Sequence, residues 1–501
     1  MKCPVDYSNM SLPNIHRMTQ LPWKTVYSQT SEEHESTVFS TYGMALTILF
    51  TVFVFALEHA LDERQANAYK STNFPSELET TVSKIDAEME AKKKSSGDKS
   101  GEKEGDIDKD KPLLPQLKEK FAKAQSYGTD KIEFGMIHSF YTLVESVGFL
   151  LAGFLPYTWD KSLQIGQDYF GWDESDEIKI TLIFLFVLTI VGTITGLPFE
   201  LYSTFRIEKK HGFNKQTLGL FFGDKVKSLM LTCLIGGPFV SLLLKIIKWG
   251  GDHFYMYVWA FMFVFSVFMM TIVPTVIMPM FNKYEPLPDG TLKTRIYELA
   301  DRLKYPLTKL FVMDGSKRSS HSNAFMFGFG SNKRIVLFDT LIQQVNEDEI
   351  LGILGHELGH WKLGHTLQQF VVTQLYFGAS FWAFSLCYKA TDLYQAFGFD
   401  GVNRPIPIII ALTLFFQTIW APVDKILSFV LTVNSRKNEF AADRFSIDLG
   451  MSKELQTGLC KISLENLGAM NPDKWYATYH YSHPPLVERL SAMMALEKKS
   501  K

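Results

Sequence analysis

Residues 347–388 read EDEILGILGHELGHWKLGHTLQQFVVTQLYFGASFWAFSLCY. The first part, Glu347 to His365, begins with three acidic residues and continues with apolar residues at three-and-four spacing, which predicts a helix with a negatively charged first turn. The second part, Thr366 to Tyr388, contains no Asp, Glu, Lys or Arg, and it exceeds the length of about 20 residues that a membrane span requires. The sequence therefore predicts a polar helix directly followed by a membrane span.

Six further stretches are apolar over a length that approaches or meets that of a span. One of them carries a single charged residue, Glu145, and the others carry none. A single block of this kind could be the core helix of a soluble enzyme, but seven in one chain exclude that class. Prolines in or at the ends of these blocks indicate kinked helices around a cavity. The seven predicted spans are Ser36–Leu57, Met136–Thr158, Ile180–Phe199, Ser228–Leu244, Phe254–Phe281, Thr366–Tyr388 and Pro405–Val423.

Composition narrows the choice of partners and of targeting signals. The 501 residues include 51 Lys and Arg against 53 Asp and Glu, a net charge of −2, so a nucleic-acid partner held by bulk electrostatics is excluded. The four cysteines are isolated from one another, and their spacing indicates neither a thiolate metal site nor a disulfide framework. The first 35 residues are polar and interrupted by Pro4, Pro13 and Pro22, which argues against a cleavable signal peptide.

Residues 92–111, KKKSSGDKSGEKEGDIDKDK, contain no aromatic residue and almost no aliphatic one. Such a segment cannot bury enough apolar surface to offset the entropy lost on ordering, so it is predicted to be a disordered linker. A phosphorylation or binding tail is the alternative for this segment.

The count of basic residues in short loops predicts the orientation of the spans. Six Lys and Arg lie between Tyr202 and Lys227, whereas two lie between Tyr157 and Lys179. The first loop is therefore predicted to be cytoplasmic, together with residues 62–135, 282–365 and 424–501, and the amino terminus lies on the opposite side. The resulting division is a five-span region at 1–281, a catalytic segment at 282–365, two spans at 366–423 and a second catalytic segment at 424–501.

The two C-terminal polar segments together indicate a small α+β domain. Thr291 to Leu303 has helical periodicity, and Leu307 to Met313 and Arg334 to Phe338 are short runs rich in Val, Ile, Leu and Phe, which predict strands. This domain would contain the candidate catalytic residues.

The quoted stretch contains His356-Glu357-Leu358-Gly359-His360. Residues four apart lie above one another on a helix, so His356 and His360 can bind one zinc ion while Glu357 is directed at a water molecule that the zinc activates. A catalytic zinc takes three protein ligands and keeps one position open. A third ligand must therefore come from elsewhere.

The third ligand is predicted to be a carboxylate of a later helix. Metzincins place Gly and His where this chain has Leu363 and Thr366, so that class is excluded. The run from Asn434 to Leu449 offers Glu439, followed on the same helix face by Asp443. Glu439 can serve as the ligand while Asp443 accepts the second N–H of a ligating histidine. A solvated pair on an amphipathic helix is the alternative, and the motif upstream favours the ligand interpretation.

The sequence resembles a known family, the type I CaaX prenyl proteases. These are integral-membrane zinc endopeptidases of the endoplasmic reticulum that process farnesylated proteins of the a-factor and prelamin A type. The resemblance extends from the first span almost to the C-terminus. The sequence segments that carry the resemblance are TGLPFELYSTFRIEKKHGFNKQTLG at 195–219, GSKRSSHSNAF at 315–325, KRIVLFDTL at 333–341, LGHELGHWKLGH at 354–365, EFAAD at 439–443 and HYSHPPLVERL at 480–490.

The resemblance implies a fold. It is an all-α multi-span membrane protein with seven transmembrane helices that form a barrel around a water-filled chamber, and with a small α+β zinc protease domain of the gluzincin type. The chain departs from the animal enzymes of the family in two places: the charged insert at 92–111, and the absence of a long acidic insertion before HExxH.

The resemblance also implies the site. One zinc ion per chain would be bound by His356, His360 and Glu439, with Glu357 as general base; spacing had proposed the same four residues. Two further pairs follow from the resemblance alone. His483 and Arg489 would steady the oxyanion as water attacks the scissile carbonyl. Asn323 and Ala324, on an edge strand, would pair with the substrate backbone. Asp443, proposed above from its spacing to Glu439, would lie behind the zinc ligands.

The implied substrates are farnesylated CaaX proteins, cut after the prenylated cysteine to release the aaX tripeptide, with a second upstream cut in some members. The implied location is the endoplasmic reticulum membrane, with the inner nuclear membrane as a second one and the site reached from the cytoplasmic side. Lys498 and Lys499 resemble a dilysine retrieval signal, for which a solvated basic tail is the alternative.

Two other functions compete with this interpretation. One is a quality-control zinc protease of the heat-shock metalloprotease type, whose members are shorter and have fewer spans. The other is a non-enzymatic carrier or scaffold for prenylated cargo, which would need no water-activating carboxylate. His211, His253, His321 and His365 are predicted to be hydrogen-bonded structural or interfacial residues, because three zinc ligands are already assigned.

Overall fold

The computed structural model of the chain describes residues 38–96, 111–399 and 406–500. Most of these residues are helical, and a small sheet lies in the C-terminal half. The α-helices of four or more residues are Val38–Tyr69, Ser76–Ser96, Leu113–Leu151, Phe154–Phe170, Glu177–Tyr202, Leu218–Leu231, Gly237–Trp249, Phe254–Ile272, Met278–Phe281, Thr291–Leu303, Asp339–Gln344, Glu347–Lys362, His365–Cys387, Thr391–Gln395, Ile408–Gln417, Ala421–Asp448, Ser452–Glu465, Lys474–His480 and Leu486–Ser500.

The structure agrees with the predicted number of spans, but two predicted spans differ from the helices: Met136–Thr158 crosses the end of the helix Leu113–Leu151, where the helix breaks before Phe154, and Pro405–Val423 crosses a bend. Six helical segments of the described chain are long and apolar enough to cross a membrane, and a seventh span forms if the bent pair Ile408–Gln417 and Ala421–Asp448, which meet at 57°, is counted as one. Ser36, Thr37 and Pro405, at the ends of two predicted spans, lie outside the described residues. The six single segments are Thr41–Tyr69, Leu113–Leu151, Glu174–Glu208, Leu218–Trp249, Gly251–Phe281 and His365–Cys387.

Three of the spans contain a stretch with π-helical hydrogen bonding close to a proline. Pro198 precedes the stretch Ser203–Glu208 by five residues, and Pro238 follows the one at Thr232–Gly236. The third stretch begins with Val273 and Pro274. Proline removes a backbone donor and clashes with the turn before it, which fits the stretch before Pro238 and the one that contains Pro274. The stretch Ser203–Glu208 lies after Pro198, outside that turn, so proline accounts for two of the three irregular stretches.

The charged segment between the first two spans begins inside a helix. The helix Ser76–Ser96 includes residues 92–96 of the predicted linker, because Lys, Ala and Glu in this run favour helix formation. Residues 97–110, where the rest of that prediction falls, lie outside the described residues. Beyond them, the Asp86 carboxylate accepts hydrogen bonds from the backbone N–H groups of Leu113 and Leu114, at 2.8 and 2.9 Å, and so caps the next helix.

The chain divides into two compact units. One contains residues 1–55, 140–191 and 384–421, and among its described residues it consists of helices with an apolar composition. The other contains residues 56–139, 192–383 and 422–501 and includes the sheet and every residue predicted for the site.

The sheet of the second unit has four strands in the order β1-β2-β4-β3: β1 Tyr284–Pro286, β2 Leu307–Met313, β3 Ala324–Phe329 and β4 Asn332–Phe338. Strands β2 and β4 are parallel, and the other two pairs are antiparallel. The predicted strands β2 and β4 are confirmed, and so is the helix Thr291–Leu303. The edge strand β3 starts at Ala324, so of the two residues predicted to lie on it, Asn323 directly precedes the strand.

A large apolar core holds the second unit together. It joins the sheet, through Ile335 and Leu337, to the helix Glu347–Lys362, through Ile350 and Leu354. The helix Ser76–Ser96 contributes Leu78 and other residues to the same core. Because these side chains are almost fully buried, the core fixes the helix that carries the HExxH motif against the sheet.

Candidate metal centre

The helix Glu347–Lys362, called the motif helix below, begins with a capping box. The Asn346 side chain accepts from the Glu349 N–H at 2.9 Å, and the Glu349 carboxylate accepts from the Asn346 N–H at 2.8 Å. The other oxygen of Glu349 contacts the Lys461 ammonium at 2.7 Å. Acidic residues in the first turn also complement the positive end of the helix dipole. The start of the helix is therefore fixed by both local and long-range contacts.

Glycines on the motif helix allow two other helices to approach it closely. A Cβ at Gly352 would lie 2.6 Å from the backbone nitrogen of Leu455, in the helix Ser452–Glu465. A Cβ at Gly359 would lie 3.1 Å from Phe445, in the helix Ala421–Asp448, which carries Glu439. A side chain at position 359 would require Phe445 or its helix to shift by a few tenths of an ångström, so Gly359 limits how near the carboxylates of that helix come to the motif histidines.

The side chains of His356, His360 and Glu439 converge. Their ligand atoms all lie within 4.8 Å of one another, and within the described ranges this is the one such group of His, Cys, Asp and Glu. The two Nε2 atoms are 3.1 Å apart, and Glu439 approaches them at 3.4 Å from His356 and 3.3 Å from His360. His356 and Glu439 are buried, while His360 is partly exposed. The fold thus brings the two histidines of the motif helix together with the carboxylate predicted from the later helix.

These distances fit a metal ion. Atoms bound to one tetrahedral zinc at about 2.0–2.2 Å lie about 3.3–3.6 Å from each other, close to the observed spacings. The Oε2 atom of Glu439 is buried and has no hydrogen-bond partner among the described residues. A buried carboxylate oxygen that accepts no hydrogen bond is costly, and the Arg489 guanidinium, 3.8 Å from this oxygen, is too far away to supply one. A cation held by these three side chains would satisfy the oxygen. One carboxylate and two imidazoles are also a donor set that zinc takes in catalytic sites.

Glu357 lies on the motif helix between the two histidines. Burial raises the pKa of its carboxyl above the usual value, and the imidazoles of His356 and His360 oppose that increase. A carboxylate with a raised pKa takes up and releases a proton more readily near neutral pH, which suits a general base.

Asp443 lies behind the cluster, on the same helix as Glu439. Its Oδ1 atom is 2.9 Å from Nδ1 of His356, and its carboxylate is bridged in a bidentate pair by the Arg489 guanidinium, at 2.9 and 2.5 Å. Asp443 and Arg489 are both buried, at 1 % and 8 % exposure. The predicted contact between Asp443 and a ligating histidine is therefore present. Arg489 is engaged with Asp443, and its Nη1 lies 3.8 Å from Glu439.

His483 lies on the open side of the cluster. Its Nε2 atom is 3.3 Å from Glu439, and 69 % of its side chain is exposed to solvent. A substrate could therefore reach His483 directly, whereas the guanidinium of Arg489 is enclosed.

Asn323 and Ala324 lie at the start of β3. The side chain of Asn323 accepts from the Ala324 N–H at 2.8 Å, and the Asn323 carbonyl accepts from the Phe338 N–H at 3.1 Å. Strand β3 is at the edge of the sheet and contacts the motif helix. An edge strand has backbone groups that can pair with an added strand.

Sequence reasoning missed two contacts of the motif helix. One is the buried pair of Glu349 with Lys461; the acidic residue was noticed, but only folding shows which lysine it meets. The other joins His360 to His365, one of the four histidines predicted to be structural. Of the other three, His211 contacts Asp130 at 2.5 Å and His321 contacts Asn466 at 3.1 Å, which confirms the prediction that these two histidines are hydrogen-bonded.

A metal-binding HExxH helix, on a chain with six or seven candidate spans, is the arrangement of a metalloprotease built into a membrane. A family model described as "CAAX prenyl protease N-terminal, five membrane helices" matches residues 108–283, and one described as "Peptidase family M48" matches residues 286–497. The chain belongs to the CAAX prenyl protease 1 family and is a multi-pass membrane metalloprotease.

Known relatives support this assignment over most of the chain. The "CAAX prenyl protease 1 homolog" of Oryza sativa subsp. japonica is 49% identical over 78% of this chain and 91% of its own length. The homolog of Homo sapiens is 41% identical over 77% of this chain and 89% of its own length. A solved structure, "Crystal Structure of S. mikatae Ste24p", matches with a TM-score of 0.78 and 34% identity, covering 90% of this chain and 98% of the other.

Proposed function

We propose that the protein is a zinc endopeptidase that removes the C-terminal aaX tripeptide from farnesylated CaaX proteins. The observation that carries the proposal is the convergence of His356, His360 and Glu439, with one buried oxygen of Glu439 left for a cation. The choice of substrate is supported by the relatives, which are named CAAX prenyl proteases.

Each residue of the site has a role in hydrolysis. His356, His360 and Glu439 would hold the zinc ion, which when bound acts as a Lewis acid on water and on the scissile carbonyl. Glu357 takes the proton from the attacking water and returns it to the leaving amine. Its raised pKa makes the carboxylate a stronger base toward the proton of that water.

His483 and Arg489 have different surroundings, and their roles follow from them. His483 is exposed beside the cluster and can donate its Nε2 hydrogen to the oxyanion that forms on the scissile carbonyl. Arg489 contributes positive charge from behind and keeps Asp443 in place against His356. Asp443 in turn holds the ring of His356 in the orientation that leaves Nε2 free to bind the metal.

The substrate backbone would be added as a strand to the free edge of β3, beginning at Asn323 and Ala324. Backbone pairing holds a peptide in extended form whatever its side chains are, so the residues around the prenylated cysteine can vary. A second upstream cut would use the same site.

We place the protein in the endoplasmic reticulum membrane, with its site reached from the cytoplasm. The inner nuclear membrane is continuous with that membrane and is a second location. Colocalisation of a fluorescent fusion with a marker of the endoplasmic reticulum tests this location.

Cleavage-site mapping on a farnesylated CaaX peptide tests the activity. The purified full-length protein should release the tripeptide, and removal of zinc by a chelator should stop the release until zinc is restored. Glu357→Gln should keep one zinc per chain and lose about 10²–10⁴-fold in rate. Glu347→Gln, on the exposed first turn of the same helix, is the matched control and should keep the full rate.

Three results would contradict the proposal. If Glu357→Gln retains both zinc and activity, Glu357 is not the base. Equal turnover of the farnesylated peptide and an unprenylated peptide of the same sequence would favour a quality-control protease of the heat-shock type. Binding of the farnesylated peptide without any cleavage would favour a carrier.

A further inference from the structure

His360 has a second contact on the side of its ring away from the cluster. Its Nδ1 atom lies 2.9 Å from Nδ1 of His365, and the two ring centroids are 5.1 Å apart with the planes at 67°. His365 is the first residue of the helix His365–Cys387. The motif helix ends at Lys362, and Gly364 has the left-handed φ of 74°, which a residue with a side chain rarely adopts. This turn brings His365 back to His360.

The positions of the nitrogens determine the tautomers. Nε2 of His360 faces Nε2 of His356 and the carboxylate of Glu439, so Nε2 is the atom of His360 that would bind the metal. A nitrogen that binds a metal carries no proton. A neutral imidazole has one N–H, which on His360 is then at Nδ1. This N–H points to Nδ1 of His365, which must accept with its lone pair.

The two motif histidines therefore have different acceptors. Nδ1 of His356 faces the carboxylate of Asp443, an anion, while Nδ1 of His360 faces an imidazole. Ligating histidines usually donate their second N–H to a carboxylate, a carbonyl or water, and that partner fixes the ring and raises its basicity. An imidazole acceptor fixes the ring without adding negative charge to the centre.

We propose that His365 is a positioning residue of the metal centre: it accepts the Nδ1 hydrogen of His360 and holds that ring with Nε2 directed at the metal. The inference rests on the proposed zinc site and deepens it. It also assigns a function to the short connection after the motif helix, because the first residue of a membrane helix then orients a metal ligand.

Zinc affinity of the purified full-length protein, measured by competition with a chromophoric chelator, tests this inference. His365→Ala should weaken zinc binding about 10–100-fold, the effect typical of losing such a partner. His365→Gln places an amide oxygen where it can accept the same hydrogen and should recover most of the affinity. His253→Ala, at an exposed histidine far along the sequence from the motif, is the matched control and should bind zinc like the unmodified protein.

Two further readouts separate positioning from a general loss of structure. The unfolding temperature of the metal-free protein should be the same for His365→Ala and the unmodified protein. The visible spectrum of the cobalt-substituted protein should change in His365→Ala and return in His365→Gln, because it reports the geometry of the ligands.

Wild-type zinc affinity in His365→Ala would overturn the inference, and so would a glutamine variant as weak as the alanine variant. A lower unfolding temperature in metal-free His365→Ala, with no recovery by glutamine, would show a structural role instead. The zinc content of the unmodified protein is a separate result: without bound zinc the proposed function itself fails, whereas one zinc per chain with unchanged affinity in His365→Ala rejects only the role of His365.

Discussion

Lys461 and Glu349 form an ion pair inside the protein, with 2.7 Å between the ammonium and the carboxylate and side-chain exposures of 6 % and 3 %. The same carboxylate caps the motif helix at Asn346. The pair therefore connects the start of the helix that carries HExxH to the helix Ser452–Glu465.

Replacement of Lys461 by methionine should lower the free energy of unfolding by about 3–5 kcal/mol, because it leaves the Glu349 carboxylate buried without its cation. Thermal or denaturant unfolding of the purified protein measures the change. Lys118→Met is the matched control: Lys118 pairs with Glu79 at the surface, where both side chains are more than 40 % exposed, and an exposed pair contributes about 0–1 kcal/mol. Equal effects of the two substitutions would contradict the prediction.

Gly352→Ala should destabilise the protein by about 1–3 kcal/mol and weaken metal binding. The added methyl would lie 2.6 Å from the backbone of Leu455, which cannot move without shifting its helix. Gly135→Ala provides the comparison, because a Cβ there meets nothing within 4 Å. Unfolding curves and zinc titrations of both variants give the result, and a Gly352→Ala protein with unchanged stability would show that the helices separate easily.

Asp443→Asn should reduce zinc affinity about 10–100-fold, because His356 loses an anionic acceptor for its Nδ1 hydrogen. The buried Arg489 also loses its bidentate partner, so the free energy of unfolding should fall as well. Asp448→Asn, on the same helix but with 67 % of its side chain exposed, should leave both properties unchanged. Chelator competition and unfolding measurements distinguish the two variants; equal zinc affinities would rule out the role of Asp443.

Asp86→Ala should lower the free energy of unfolding by about 0.5–2 kcal/mol, since the first N–H groups of the helix Leu113–Leu151 lose their acceptor. Glu88→Ala is the control, because Glu88 pairs with Lys453 in a partly exposed ion pair and caps no helix end. A larger loss in the control than in Asp86→Ala, measured by denaturant unfolding, would refute this assignment.

Local sequence was a sufficient guide wherever one short segment determines the structure. The spans follow from runs without charge, the helix Thr291–Leu303 from its periodicity, and the motif helix from its acidic first turn. Strand β1, only three residues long, gave no signal of this kind. It forms because β2 offers it a partner.

The residues of the site also divide into those that local sequence predicts and those that depend on the tertiary structure. His356, Glu357 and His360 lie within one helical turn and a half, so their spacing alone places them on neighbouring positions of one helix. Glu439 could be proposed from its type and from its offset to Asp443, but a solvated pair has the same pattern. The roles predicted for His483, Arg489, Asn323 and Ala324 came from family resemblance, and their substrate contacts stay predictions.

By itself, the sequence indicated about seven apolar spans and one helix with two imidazoles placed to bind a metal, because hydrophobic length and helical spacing are properties of adjacent residues. Only the tertiary structure decided that Glu439 meets both imidazoles, that Arg489 is buried against Asp443, and that His365 turns back to His360. Those contacts depend on the packing of distant helices at glycines and on the left-handed turn at Gly364, and neither the packing nor the turn can be deduced from the spacing of residues within one helix.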